Sequence, residues 1–297
     1  MSTKKKKSLS SVISIIASLF LSIFISILAV FVGLKLGFAS NSSITKAMID
    51  SKYYHIVYEQ FISESESLLI PKGLDISIYE GVFTENQLKT DGNAYLLAAL
   101  NSKTYSINMD EYKRNLADNI KAYVEENNLM VDGEMDAVID EITTEIMDYY
   151  TDIIRVPYAS TIGNVFRAID KLFFIVCIPV LIFAAIIVWI ICRQNLSKKN
   201  RIFRYSAYAT MSGAISVLII PIFCMVTEFY KKIQINPEYI YRFMVSYIEN
   251  GINILLIIGG VLFAVSLIMI GTSTYIKHKY IIEAKERYKR HHREEIE

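Results

Sequence analysis

One row of carboxylates has the spacing to present charge on a single face of a helix. Its members are Glu141, Glu145, Asp148 and Asp152, at intervals of four, three and four residues. Residues at these intervals lie on one side of an α-helix, so the row could attract a cation or a basic protein. A solvated charged face opposite an apolar stripe is the alternative interpretation, and we favour it over both a cation site and a protein-binding site. The row is kept as a candidate partner-binding acidic face.

Motifs for catalysis or metal binding are absent from the sequence. It contains no G-x-S-x-G, no H-E-x-x-H and no phosphate-binding glycine loop. The segment that carries the acidic row has one histidine, His55, and no cysteine, so it cannot assemble a zinc site or a Cys/His nucleophile pair. His55 and Glu59 lie one helical turn apart and are interpreted as a surface pair. We expect no catalytic residue, no cofactor and no metal site, and a protein that is not an enzyme.

Four apolar runs are long enough to cross a bilayer, which requires about 20 residues of helix. They occupy residues 9–38, 171–192, 205–227 and 251–275, and none has a charged residue at its centre. The hydrophobic content of 53% is too high for an ordinary soluble protein. The sequence therefore predicts an all-α integral membrane protein with four transmembrane helices, for which the lipid bilayer is the first partner.

Charge is divided sharply along the chain. Residues 39–170 contain 22 Asp and Glu against 10 Lys and Arg, whereas the remainder contains 8 acidic and 21 basic residues. With four spans, the basic segments 1–8, 193–204 and 276–297 all lie on one side of the membrane, which the positive-inside rule assigns to the cytoplasm. This predicts a cell-membrane protein with cytoplasmic N and C termini and an extracytoplasmic acidic domain at 39–170.

The acidic domain is predicted to be a small bundle of helices inserted between the first and second spans. The expected elements are a helix from Asn41 to Pro71, two short elements around 76–83 and 95–100, a helix starting near Asn108, and a helix from Met135 to Ile154. Asp91 and Gly92 are read as a turn between the two short elements. The outer connection 228–250 is predicted to hold an interfacial helix that starts at Asn236 and Pro237.

The first span carries a ridge of small residues at every fourth position. The ridge comprises Ser10, Ser14, Ser18, Ser22, Ser26, Ala29, Gly33 and Gly37. Lipid removes the hydrophobic force between helices, so close approach along such a ridge is a main route to helix packing. Packing inside the monomer is our preferred interpretation, and a homo-oligomer seam is the alternative.

The ends of the chain allow further expectations. Gly37 and Ala39 have the small side chains of a signal-peptide cleavage site, but the apolar run before them exceeds the about 7–15 residues of a signal h-region. We therefore expect the first span to be retained, with cleavage as the alternative. The basic tails should attract anionic lipid head groups. Membrane orientation already accounts for their charge, so no nucleic-acid binding is inferred.

The order of one span, a large outer domain and three further spans resembles the layout of the FtsX group of permease-like proteins. The resemblance covers nearly the whole chain but is one of layout, because no residue motif matches. It implies a transmembrane coupling subunit that works with a separate cytoplasmic ATPase and with a cell-wall hydrolase outside. The short basic tail and the helical outer domain depart from that group.

The sequence favours a non-enzymatic protein of the bacterial cell envelope. We expect an accessory, scaffold or sensing subunit that binds an unidentified protein partner through its outer helical domain. The FtsX-like coupling subunit is the first alternative, and an oligomeric channel or transporter component is the second. No Asp, Glu, Lys, Arg or His lies deep in a span, and transport pathways usually need such groups.

Overall fold

The computed structural model describes residues 3–127, 135–196 and 198–294. The structure is 87% helical, and no strand occurs among those residues, so the predicted all-helical class is confirmed there. The α-helices are α1 (Thr3–Gly37), α2 (Asn41–Asp50), α3 (Tyr53–Leu69), α4 (Glu85–Leu100), α5 (Met109–Glu126), α6 (Met135–Ile154), α7 (Ala159–Gln194), α8 (Lys199–Thr227) and α9 (Glu238–Glu294). Short 3-10 helices occupy Ile70–Lys72, Ile76–Tyr79 and Phe229–Lys232.

Within the described part of the chain, four helices are long and apolar enough to cross a membrane. They are α1, α7, α8 and α9. Helices α7, α8 and α9 contain their predicted apolar runs, and α1 ends one residue before its run does. This confirms the prediction of four helices with the length and composition of membrane spans.

The chain forms two compact units. The first, called the span unit here, comprises Met1–Ala39, Ile169–Lys232 and Glu249–Glu297. The second, the helical unit, comprises Ser40–Ala168 and Ile233–Ile248. The helical unit corresponds closely to the acidic segment that the sequence separates from the spans, with the start of α9 added.

The helix predicted from Asn41 to Pro71 is two helices. Lys52 separates α2 from α3 and adopts the left-handed conformation, with φ of 54°. Helix α2 has its own start, because Ser40 is extended and its hydroxyl accepts a hydrogen bond from the Ser43 N–H at 3.1 Å. Helix α1 ends before this cap, at Gly37, so the first span does not run directly into α2.

The prediction of a turn at Asp91 and Gly92 is wrong, since both residues lie inside the continuous helix α4. Gly92 permits close packing: a Cβ there would lie 2.6 Å from Cε1 of Tyr54. The Asp91 carboxylate, in turn, is buried and hydrogen-bonded. Tertiary packing therefore overrides the local preference of the Asp-Gly pair for a turn.

Helix α9 is longer than any element that the sequence predicts. It runs for 57 residues from Glu238 to Glu294 without interruption. The predicted interfacial helix, the fourth span and most of the basic tail are parts of this one helix. The expected boundaries at 250/251 and 275/276 separate stretches of different polarity and do not coincide with helix ends.

The core of the helical unit is aromatic. Six rings from α3, α5, α6 and the connection before α4 contact one another; they belong to Phe61, Tyr79, Phe83, Tyr112, Tyr149 and Tyr150. The Phe61 ring stacks on Tyr79 with a centroid separation of 5.5 Å and meets Phe83 edge-on at 5.1 Å. Phe61 is fully buried. Large rings in these geometries supply packing energy to a unit that contains no cysteine.

Candidate functional site

The acidic row lies on the exposed face of α6. All four of its residues are exposed, and two of them form ion pairs. Lys72 bonds to Glu145, and Arg155 lies 3.0 Å from Oδ1 of Asp152. The other two members are Glu141 and Asp148. The row presents less net negative charge than its composition implies, because cations from outside the row offset half of its carboxylates.

His55 lies between two carboxylates. Its Nδ1 is 3.0 Å from Oε2 of Glu85, and its Nε2 is 3.4 Å from Oε1 of Glu59. Because the two ring nitrogens lie on opposite edges of the imidazole, these carboxylates cannot converge with it on one ion. Among the described residues, no group of three or more His, Cys, Asp and Glu could hold a metal. The sequence could not identify Glu85 as a partner, since it lies on another helix, 30 residues away.

Asp91 is a buried carboxylate that accepts hydrogen bonds from tyrosines. The hydroxyl groups of Tyr112 and Tyr150 donate to its Oδ2 at 2.7 and 2.8 Å. The hydroxyl group of Tyr105 donates to Oδ1 at 3.4 Å. Burial and the neighbouring Asp91 carboxylate both raise the pKa of Tyr112, so this phenol keeps its proton at neutral pH and remains a donor. These bonds satisfy a polar group that would otherwise destabilise the core.

A groove of about 700 Å³ adjoins this tyrosine cluster. Its walls are the end of α4, the connection 101–108 with the first residue of α5, the end of α6 with the residue after it, and the first turn of α7. Tyr105 belongs to both features, since its side chain lines the groove and its hydroxyl bonds to Asp91. The sequence gives no signal for this groove, because its walls come from segments about 50 residues apart.

The ridge of the first span is packed inside the span unit. Buried ridge residues are Ser14, Ser18, Ser22, Ala29, Gly33 and Gly37, and Ser26 is half-buried. Ser10 belongs to α1, but its side chain lies outside the described residues.

Glycines mark the closest approaches along the ridge. A Cβ at Gly213 of α8 would lie 3.3 Å from the carbonyl oxygen of the ridge residue Ser22. A Cβ at Gly37 would lie 3.1 Å from the Gly251 Cα of α9. The ridge therefore contacts two other helices of the same chain, which is the arrangement expected for packing within the monomer.

Polar contacts accompany this packing. The Asn195 side-chain amide donates to the Ser14 hydroxyl at 2.9 Å and to the Ile191 carbonyl at 3.0 Å, and all of these groups are buried. The Ser273 hydroxyl donates to the Asn200 carbonyl at 2.7 Å. Such hydrogen bonds between helices are favoured where water is excluded.

Charged residues at the span ends that the sequence assigns to the outer side are paired. Lys35 lies 3.1 Å from Oδ1 of Asp170, and its Nζ is 4.7 Å from the centre of the Phe173 ring. Lys231 lies 2.8 Å from Glu228 and 3.2 Å from Glu249. Pairing explains how these charges remain next to apolar helices.

Comparison with protein-family models, with curated proteins and with solved structures found no match. The candidate sites are therefore defined by their geometry alone: the acidic row, the groove beside Asp91 and the packed ridge of α1.

Proposed function

We propose that this protein is a non-enzymatic, multi-pass component of the bacterial cell membrane that binds a protein partner through its helical unit. Four helices with the length and apolarity of membrane spans support the membrane part of the proposal. The partner-binding part is supported by the helical unit, which has its own aromatic core and presents both a charged face and a groove.

The segregation of charge is the observation that carries the proposed orientation. The acidic segment between the first two spans contains 22 carboxylates and 10 basic side chains, while the basic residues concentrate in the other connections and tails. The positive-inside rule then places both termini in the cytoplasm and the helical unit outside. The identity of the partner that the helical unit binds outside the cell decides whether the role is that of an accessory, a scaffold or a sensing subunit.

Labelling of single cysteines in intact cells tests this orientation. Replacing Cys177, Cys192 and Cys224 with alanine gives a background into which Asp148→Cys or Lys279→Cys is introduced; both target positions are exposed. A membrane-impermeant maleimide should label the variant at 148 and spare the variant at 279 until the cells are permeabilised. The opposite pattern would overturn the proposed topology.

Photo-crosslinking in native membranes tests the partner-binding part. A photoreactive amino acid placed at Glu141 or Asp148 should crosslink to a protein that mass spectrometry identifies, and deletion of the gene should produce an envelope phenotype. The matched control is a photoreactive group at Trp189, on the exposed apolar side of α7. Crosslinks that also form from this position report general neighbours in the membrane and not a partner of the helical unit. Absence of both a specific crosslink and a phenotype would contradict the proposal.

A further inference from the structure

The connection between α4 and α5 is an extended segment in a helical unit. The Lys103 N–H donates to the Ala98 carbonyl at 2.8 Å, which fixes the start of the segment. Residues 103–108 then continue without helix, turn or bend. Side chains alternate along it: Tyr105 and Ile107 are half-buried, while their neighbours are exposed. This alternation is that of a strand with one face packed on the protein.

The backbone of this segment has unused hydrogen-bonding capacity. Among the described residues, no acceptor receives the N–H groups of residues 104–107. An extended segment with free N–H and C=O groups is a template for a second extended chain, as in peptide recognition by strand addition. The main chain can therefore contribute affinity without regard to the sequence of the bound peptide.

The adjoining groove offers space for the side chains of such a peptide. Its volume of about 700 Å³ lies within the range of roughly 300–1,000 Å³ typical of ligand pockets. Tyr95, Met109 and Ile154 give it an apolar surface, and Thr151 adds a hydroxyl group. Mixed walls of this kind suit alternate apolar side chains of an extended peptide.

The charge of the groove is opposite to that of the unit around it. Its lining includes Lys103 and Arg155 and no Asp or Glu, although carboxylates outnumber basic residues two to one in 39–170. Arg155 shares its charge with Asp152 at 3.0 Å, whereas Lys103 forms no ion pair among the described residues. Exposed carboxylates farther away are screened, because the Debye length at physiological ionic strength is about 8 Å. The buried Asp91 carboxylate accepts hydrogen bonds from three tyrosine hydroxyl groups. The local charge therefore selects an acidic occupant.

We propose that the groove binds an extended acidic peptide segment of the partner protein. The peptide pairs its main chain with residues 103–108, and its carboxylates lie against Lys103 and Arg155. This inference rests on the proposed function, since it supplies the chemistry of the partner that the helical unit binds.

Fluorescence anisotropy with the full-length protein in lipid nanodiscs tests the proposal. The probe is a fluorescein-labelled ten-residue peptide of alternating glutamate and leucine, which should bind saturably. The same peptide with N-methylated backbone amides should bind about tenfold more weakly, because it lacks main-chain donors. A lysine-leucine peptide should not compete. Equal binding of the N-methylated or the lysine peptide would overturn the proposal.

Charge variants of the protein localise the binding. Lys103→Glu should weaken binding of the probe about tenfold. Lys89→Glu is the matched control, because Lys89 is an exposed lysine of α4 outside the groove lining. This variant should bind the probe as the unmodified protein does. Asp152→Asn should strengthen binding about threefold by freeing Arg155. Equal binding by the two lysine variants would overturn the assignment to the groove.

The two proposals fail in different ways. If a photoreactive group at Asp148 captures a partner but the glutamate-leucine probe does not bind, the acidic-peptide groove is wrong and the partner-binding function stands. If neither crosslinks nor a deletion phenotype are found, the proposed function itself fails. Circular dichroism of each variant against the unmodified protein identifies any loss of binding that is caused by unfolding, and the N-methylated peptide tests the groove without altering the protein.

Discussion

Most buried positions of the helical unit hold large side chains, whereas most of those of the span unit hold small ones. Phe61, Tyr150 and Tyr53 are at most 2% exposed in the first. In the second, fully buried positions include Ser14, Ala207 and Ala214. Water drives large apolar groups together, but lipid does not, so helices in lipid gain most from close backbone contact. The contrast is the one expected if the span unit packs in lipid and the helical unit in water, and the apolar character of α1, α7, α8 and α9 agrees with it.

The largest effect is expected from a cavity in the aromatic core. Phe61→Ala should lower the free energy of unfolding of the helical unit by about 3–5 kcal/mol. Ile49→Ala, at a position that is 54% exposed, is the control and should change it by less than about 0.5 kcal/mol. Chemical denaturation in detergent, followed by tyrosine absorbance, gives both values. Similar losses in the two variants would show that ring packing does not dominate this unit.

The next effect concerns the tyrosine bonds to Asp91. Tyr112→Phe removes one hydroxyl donor at 2.7 Å and should destabilise the helical unit by about 1.5–3 kcal/mol. Tyr123→Phe is the matched control, since its hydroxyl forms no hydrogen bond among the described residues. The same denaturation experiment distinguishes the two variants. If Tyr112→Phe leaves the stability unchanged, the Asp91 carboxylate has found another hydrogen-bond donor.

Close packing in the span unit is tested with two glycines of one helix. A Cβ at Gly251 would clash with the Phe38 ring, whereas a Cβ at Gly260 would meet no atom within 4 Å. Gly251→Val should therefore destabilise the span unit by about 1–3 kcal/mol, while Gly260→Val should not. Thermal stability in detergent measures the difference. If both variants behave alike, the approach of α1 to α9 contributes little.

The smallest effect is expected at the surface of the helical unit. Lys72→Ala removes the ion pair with Glu145 and should lower stability by less than about 1 kcal/mol, because both side chains are partly exposed to water. The variant should also make the acidic row more negative, so crosslinking from Asp148 to a basic surface of the partner, separate from its acidic segment, should increase. Unchanged crosslinking would argue that the row is only a solvated face.

Properties that depend on long stretches of sequence were predictable, and those that depend on distant pairs were not. The spans follow from length and apolarity, which every residue of a run helps to set. The environment of Asp91 depends on tyrosines 14, 21 and 59 residues away. The local preference of the Asp-Gly pair does not include these contacts, so it predicted a turn that does not form. The contact between His55 and Glu85 was missed for the same reason. Placement of the helical unit outside the cell stays a prediction, because it follows from charge and not from contacts.

The uninterrupted course of α9 sets the reach of its two ends. Its 57 residues extend about 86 Å at a rise of 1.5 Å each, whereas the hydrocarbon core of a bilayer is only about 30 Å thick. A single crossing would therefore leave more than half of α9 outside the hydrocarbon core, in contact with water, head groups or other protein segments.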